Sequence, residues 1–155
     1  MKTSGSVMGR AKHLPTALFK GYEGSDLMIS TYGTVFISVK DSEKHNAIKI
    51  AARFHQLGFK LLATEGTANV LAEEGITTGI IEKVQEGSNS LLEKIKQHRI
   101  NLVINVTSLS DSASHDAIMI KDAALSTHIP VFSSLQSAQD VLIVLETLAM
   151  TTQPL

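Results

Sequence analysis

A chain of 155 residues is one domain by length and is long enough to bury a core. Its net charge of −1 offers no basic field for nucleic acid, and without cysteine it has no disulfide framework, thiolate metal site or thiol nucleophile. No apolar run reaches the roughly 18 residues needed to span a bilayer, and the opening MKTSGSVMGR has no apolar signal core, so no membrane partner is expected and the expected compartment is the cytoplasm.

The first 32 residues do not show a regular rhythm. SGSVMG reads as a short extended piece, and KHLPTALFKGYEG as a short helix at best. Leu14, Leu18, Phe19 and Tyr22 lack an obvious partner in the downstream segments, so they should pack on another domain or on the outside of this one. From Gly33 onward, strand-like and helix-like segments alternate. TVFISV (34–39) is β-rich and nearly all apolar. The next segment repeats Ala47, Ile50, Ala51, Phe54 and Leu57 at helical spacing, with Asp41 or Ser42 as cap and Gly58 as stop. KLLAT (60–64) is a second strand, and a helix is expected from Thr67 to Gly75. TGIIEKV (78–84) reads as a third strand. Ser90 and Glu93 have capping-box spacing at the start of the next helix. NLVINV (101–106) is a fourth strand. A helix over 111–127 should turn Ala117, Ile118, Ile120, Ala124 and Leu125 inward. IPVFSS (129–134) is a fifth strand, and the last helix runs from Leu135 to Met150 with Ala138, Val141, Leu142, Leu145 and Ala149 on one face. Five short apolar strands alternating with helices predict a doubly wound α/β domain with a five-stranded parallel sheet covered on both faces. The expected organisation is a leading piece over 1–32, the α/β domain over 33–150 and a tail over 151–155.

Ligands of open α/β sheets bind beyond the carboxyl ends of the strands. Here those ends deliver Ser38 with Lys40 and Lys44, then Thr64-Glu65-Gly66-Thr67, Lys83, Asn105 with Thr107 and Ser108, and Ser133 with Ser134. Hydroxyls, free N–H groups at helix starts and a few lysines are what a phosphate group requires. Gly66 would let the backbone come close. Each hydroxyl also has a plainer reading as a helix cap. Lys83, at the end of an apolar stretch, is harder to dismiss as a solvated surface charge than Lys44. Neither G-x-G-x-x-G nor G-x-x-x-x-G-K-[ST] occurs. His13, His45, His55, His98, His115 and His128 show no metal spacing, and His45 and His55 read as helix-surface residues. No metal and no cofactor is expected. Asp111, His115 and Asp116 share a segment with three serines, but local clustering is not triad geometry.

GTVFISVKDSEKH, LGFKLLATEGTANVLAEEGI, EKVQEG and LVINVTS resemble the C-terminal allosteric domain of the carbamoyl-phosphate synthetase large chain, a member of the methylglyoxal-synthase-like superfamily. MKTSGSVMGRAKHLPTALFKGYEG is similar to the end of the preceding ATP-grasp half. The resemblance implies a regulatory domain that performs no chemistry and binds a nucleotide monophosphate, UMP or IMP. By motif it places the effector site on Ser38, Lys44, Thr64, Thr67, Lys83, Val84, Asn105 and Thr107, and an ornithine boundary on Ser133. The implied partners are the rest of the large chain and the glutaminase small chain, with self-association allowed. The family's Gly-Arg-Arg run after the fourth strand reads LSDSAS (109–114) here, which removes two basic residues from the pocket's edge. The enzymatic alternative, a methylglyoxal synthase acting on dihydroxyacetone phosphate, would need an aspartate in the loop over 85–90, which contains none. A third alternative is a degenerate domain that binds no effector.

Overall fold

Residues 16–20, 26–84, 89–108 and 111–152 are described by the computed structural model of the chain. Two short strands, β1 (Thr16–Lys20) and β2 (Asp26–Ser30), come first. After them come β3 (Thr34–Val39), a single 3-10 turn (Asp41–Glu43), α1 (Lys44–Gln56), β4 (Lys60–Ala63), α2 (Glu65–Glu73) and β5 (Gly79–Ile80). The chain continues with α3 (Ser90–Lys96), β6 (Leu102–Val106), α4 (Asp111–Ser126), β7 (Val131–Phe132) and α5 (Leu135–Thr152).

Strands β3 to β7 form one parallel sheet in the order β5-β4-β3-β6-β7. Alternation along the central strand feeds two cores, because successive side chains in a strand point to opposite faces. Val35, Ile37 and Val39 join Ala47, Ile50, Ala51 and Phe54 of α1, Leu71 of α2, and Ala138, Val141, Leu142 and Leu145 of α5. Phe36 faces the other way, with Leu91, Leu92 and Ile95 of α3 and Ile120, Ala123 and Ala124 of α4. The fold is the doubly wound α/β domain expected from the sequence. Between α1 and α5, Arg53 Nε and Nη2 donate to the two carboxylate oxygens of Glu146 at 2.9 and 2.6 Å. That half-buried fork ties the two helices together.

Several local expectations are corrected. Thr16–Lys20 is a strand, not a helical turn: it pairs antiparallel with Asp26–Ser30, Leu18 opposite Met28. The hairpin lies outside the main sheet but packs on its first core through the fully buried Ile29 and through Phe19, whose ring meets Phe132 edge-on at 6.1 Å. Leu14 and Tyr22 lie outside the described residues. The third strand is only Gly79–Ile80, at the sheet edge, and the fifth only Val131–Phe132. Parallel strands keep ladder bonds only where a neighbour runs alongside, and β5 has one neighbour. Helix α2 starts at Glu65, two residues before Thr67. Ser90 is the first residue inside α3, with Asn89 at the cap position, so the Ser90–Glu93 capping box does not form. On α4, Ile118 and Leu125 are 59% and 77% exposed. The buried stripe there is Ile120, Ala123 and Ala124, and at about 100° per residue Ile118 and Leu125 fall on the opposite side.

Helices α1 to α4 end in the same way. A left-handed residue comes after each, and the next N–H reaches back to the last turn: Phe59 to Phe54 O, Ile76 to Leu71 O, Arg99 to Lys94 O and Ile129 to Ala124 O, at 2.9–3.1 Å. This is the Schellman closure. The left-handed residue is Gly58 or Gly75 in two cases, but His98 (φ 58°) and His128 (φ 60°) in the others, where a side chain bears a steric cost.

Candidate functional site

The order of the sheet dictates where a ligand can sit. From β3 the chain runs outward to β4 and β5, then returns to the other side for β6 and β7. Connections therefore diverge on either side of β3, and at the carboxyl ends of the strands a crevice opens at that divergence. A cavity of about 220 Å³ lies there. Its floor is polar because β3 and β6 each place a polar side chain one residue before their end, and β4 one residue past its end. Ser38 of β3 and Asn105 of β6 are register partners, and Ser38 Oγ lies 3.3 Å from Thr64 Oγ1, just past β4. Three adjacent strands thus place three neutral polar side chains on one wall, with Thr107 beyond them.

Thr64 occupies the cap position of α2 with extended backbone (φ −71°, ψ 159°), but its hydroxyl makes no capping bond. It pairs with Ser38 instead. The backbone N–H groups of Glu65, Gly66 and Thr67 precede the first intrahelical bond, Ala68 N–H to Thr64 O, so the positive end of this helix is left without a side-chain cap. Gly66 has a steric purpose beside them. A Cβ there would stand 3.2 Å from Lys44 Cε, so a larger residue would make the lysine stem give way slightly where it passes the helix start.

Lys44 is more deeply placed than a first-turn lysine ordinarily is. Its side chain is 18% exposed, and Nζ donates to Val39 O and to Asp41 Oδ1, both at 2.8 Å. That hydrogen bond, then the Lys44 charge, holds the Asp41 carboxyl below its usual range despite some desolvation, with a smaller pull from Lys83. Lys83 is exposed and lines the cavity beside half-buried Val84. Both come after β5 in a loop, so Lys83 does not end a strand.

Of the residues expected on the rim, Ser38, Lys44, Thr64, Lys83, Val84, Asn105 and Thr107 meet at this cavity. Thr67 does not. It is 1% exposed, and its Oγ1 accepts the Val39 N–H at 3.3 Å, so it braces the end of β3 from inside. Ser133 is exposed past β7, away from the cavity, beside Ser134, which caps α5 by accepting the Ser137 N–H at 3.1 Å. Lys40, Asp41 and Asp116 also line the cavity, and the resemblance places no ligand on them. In the sequence Asp41 has the pattern of a helix cap, and Asp116 belongs to a local Ser/His/Asp cluster. Its neighbour His115 is exposed and does not line the cavity. Among the described residues the lining carries three lysines against two aspartates. No group of three or more metal-ligating side chains occurs among the described residues, and none of the described helices is long and apolar enough to cross a membrane.

A parallel sheet with a polar crevice at its switch point defines a class of ligand-binding α/β domains. Residues 46–133 match the family model described as the MGS-like domain, and the chain belongs to that family. Among solved structures it is similar to the methylglyoxal synthase of Elizabethkingia anophelis NUHP1, at 19% identity and a TM-score of 0.60, covering 74% of this chain and 79% of that one. It is also similar to ForH, at 21% identity and a TM-score of 0.59, covering 75% of this chain and 80% of that one. At these identities the likeness is one of fold.

Proposed function

We propose that this chain is a regulatory, effector-binding domain of the carbamoyl-phosphate synthetase large-chain type, which takes a nucleoside monophosphate at the carboxyl ends of β3, β4 and β6. The observation that carries the reading is the pairing of the uncapped start of α2 with the Ser38–Thr64 hydroxyls beside Lys44 and Lys83. A phosphate seated there accepts from backbone N–H groups and hydroxyls, while the lysines supply charge. Asn105 and Thr107 face the sugar or base. The cavity is smaller than the 300–1,000 Å³ usual for drug-sized ligands, so it suits a phosphate and sugar with the base reaching towards solvent. UMP and IMP are the effectors to test. Residues 1–32 belong, on this reading, to the end of a preceding domain. Leu18 and Met28, register partners on the outer face of the hairpin and 54% and 56% exposed, would then meet the rest of the large chain.

The test is calorimetric titration of UMP and IMP into wild type and Lys83→Ala. Binding weakened by the substitution supports the site; failure of either nucleotide to bind wild type at millimolar concentration favours a degenerate domain.

A second reading, a methylglyoxal synthase, is favoured by one observation: Asp41 and Asp116 bring carboxylates to the cavity. A carboxylate held ionised by a lysine is a weak base, however, and Asp41 is held in that way. Release of methylglyoxal from dihydroxyacetone phosphate above a no-protein control would establish this reading instead.

A further inference from the structure

A cleft larger than this crevice lies at the opposite rim among the described residues. At the amino-terminal ends of β3, β4 and β5, a cavity of about 770 Å³ is lined by His55 at the end of α1, Lys60 at the start of β4, Lys94 of α3 and Arg99 just past it. No aspartate or glutamate lines it among the described residues. Clefts lined by charge of one sign focus the field and gather counter-ions. Helix ends account for part of this: α1 and α3 direct their carbonyl ends to this rim, and cations in the last turn offset them. That explains His55 and Lys94. Lys60 and Arg99 lie beyond the helices and add charge that the dipoles do not require.

The chain neutralises a cation where stability needs it. Arg53, two residues before His55, is locked in a fork with Glu146. Lys60, Lys94 and Arg99 have no such carboxylate among the described residues. Lys94 and Arg99 are also held at fixed spacing, since the Arg99 N–H donates to Lys94 O at 2.9 Å across the turn at His98. Thr34 and Thr77 add hydroxyls to the wall, and half-buried Leu62 gives it an apolar patch.

We propose that this amino-terminal cleft is a second ligand site, for a small molecule carrying a diphosphate or triphosphate group. Three cationic side chains and a histidine exceed what one phosphate needs, since a phosphate monoester carries about −1.5 to −2. A linked pair or trio of phosphates matches them. The cleft is separate from the crevice at the carboxyl ends and does not depend on what binds there.

The experiment uses inorganic pyrophosphate and tripolyphosphate as probes, titrated into the ¹⁵N-labelled 155-residue chain at about 0.15 M salt, where screening suppresses loose surface binding. Amide shifts around Lys60, Thr77 and Arg99 are expected, and the Lys60→Gln/Arg99→Gln double variant should bind tripolyphosphate roughly tenfold or more weakly with unaltered circular dichroism. Lys94→Gln, tested alone, should weaken it in the same direction. Shifts confined to Ser38, Thr64 and Asn105 would overturn the proposal. So would equal affinity in wild type and double variant, or binding of poly-glutamate with none of either phosphate probe.

Discussion

The two rims of the sheet solve opposite electrostatic problems. At the carboxyl ends, strands deliver Ser38, Thr64 and Asn105, helix α2 begins without a side-chain cap, and Lys44 is already partnered by Asp41. At the amino ends, helices present carbonyls, and the chain answers with His55, Lys60, Lys94 and Arg99 and, among the described residues, no carboxylate on the cleft. The carboxyl rim sets neutral polar groups in fixed positions beside three lysines; the amino rim sets basic side chains around the cleft with Thr34 and Thr77 among them. Neutral donors in fixed positions give geometric selection, whereas a basic cleft in water selects mainly by charge and is weakened by salt.

The largest effect is expected on the carboxyl side. On the proposed reading Lys83→Ala would remove one charge-assisted bond to the phosphate, worth roughly 1.5–3 kcal/mol, so nucleoside monophosphate affinity should fall about 10- to 150-fold by calorimetry. Unchanged affinity would remove Lys83 from the site and leave this rim to its neutral donors.

Next come the two threonines, which the structure separates. Thr67→Ala strips the buried Val39 N–H of its acceptor and should cost about 1–3 kcal/mol of stability in urea unfolding. Thr64→Ala, at the cavity, should instead lower affinity by roughly 2- to 10-fold with a smaller loss of stability. Equal stability losses would show that the hydroxyls share one structural duty.

The Arg53–Glu146 fork tests paired charge against the basic cleft. The hydrogen bonds from Arg53, then its charge, hold the Glu146 carboxyl below its ordinary value of 4.5 despite partial desolvation. A carboxyl depressed in the folded state contributes stability that is present above that value and lost as pH falls through the folded one. Glu146→Gln should therefore cost about 1 kcal/mol near neutral pH and progressively less below about pH 4.5. Thermal unfolding as a function of pH reads this, and a deficit that persists at pH 3 would mean that packing, not charge, carries the contact.

The smallest effect concerns the turn that sets Lys94 against Arg99. His98→Gly relieves a left-handed side-chain clash and should add about 1 kcal/mol, or roughly 2–4 °C in melting temperature. A lower melting temperature would show that the histidine side chain contributes contacts that outweigh the strain.

Much of this was legible in the sequence. TVFISV announced the central strand because its residues are apolar on both faces, and both faces are covered. Phe54 and Leu142 could be placed in the core from helical spacing alone, and the meeting of Ser38, Thr64 and Asn105 could be read from where strands end, whereas Lys83 reaches the cavity from a loop and not from the strand end the sequence suggested. Single-chain periodicity could not reveal that TALFK would find a partner in DLMIS, since antiparallel pairing depends on a segment six residues further on. Nor could it show that TGIIEKV would pair over only two residues at an edge. On α4 the sequence offered more apolar positions than one face can bury, and only packing against α3 chose between them.

The sequence by itself determined the α/β alternation, the two-sided core and the polar strand ends, because burial and capping are written in local spacing. The tertiary structure alone decided that Thr67 braces Val39 from within, that Lys44 is bound to Asp41, and that Lys60, Lys94 and Arg99 surround one cleft. Those outcomes depend on distances between segments far apart in the chain, which are fixed only when the strands take their order in the sheet.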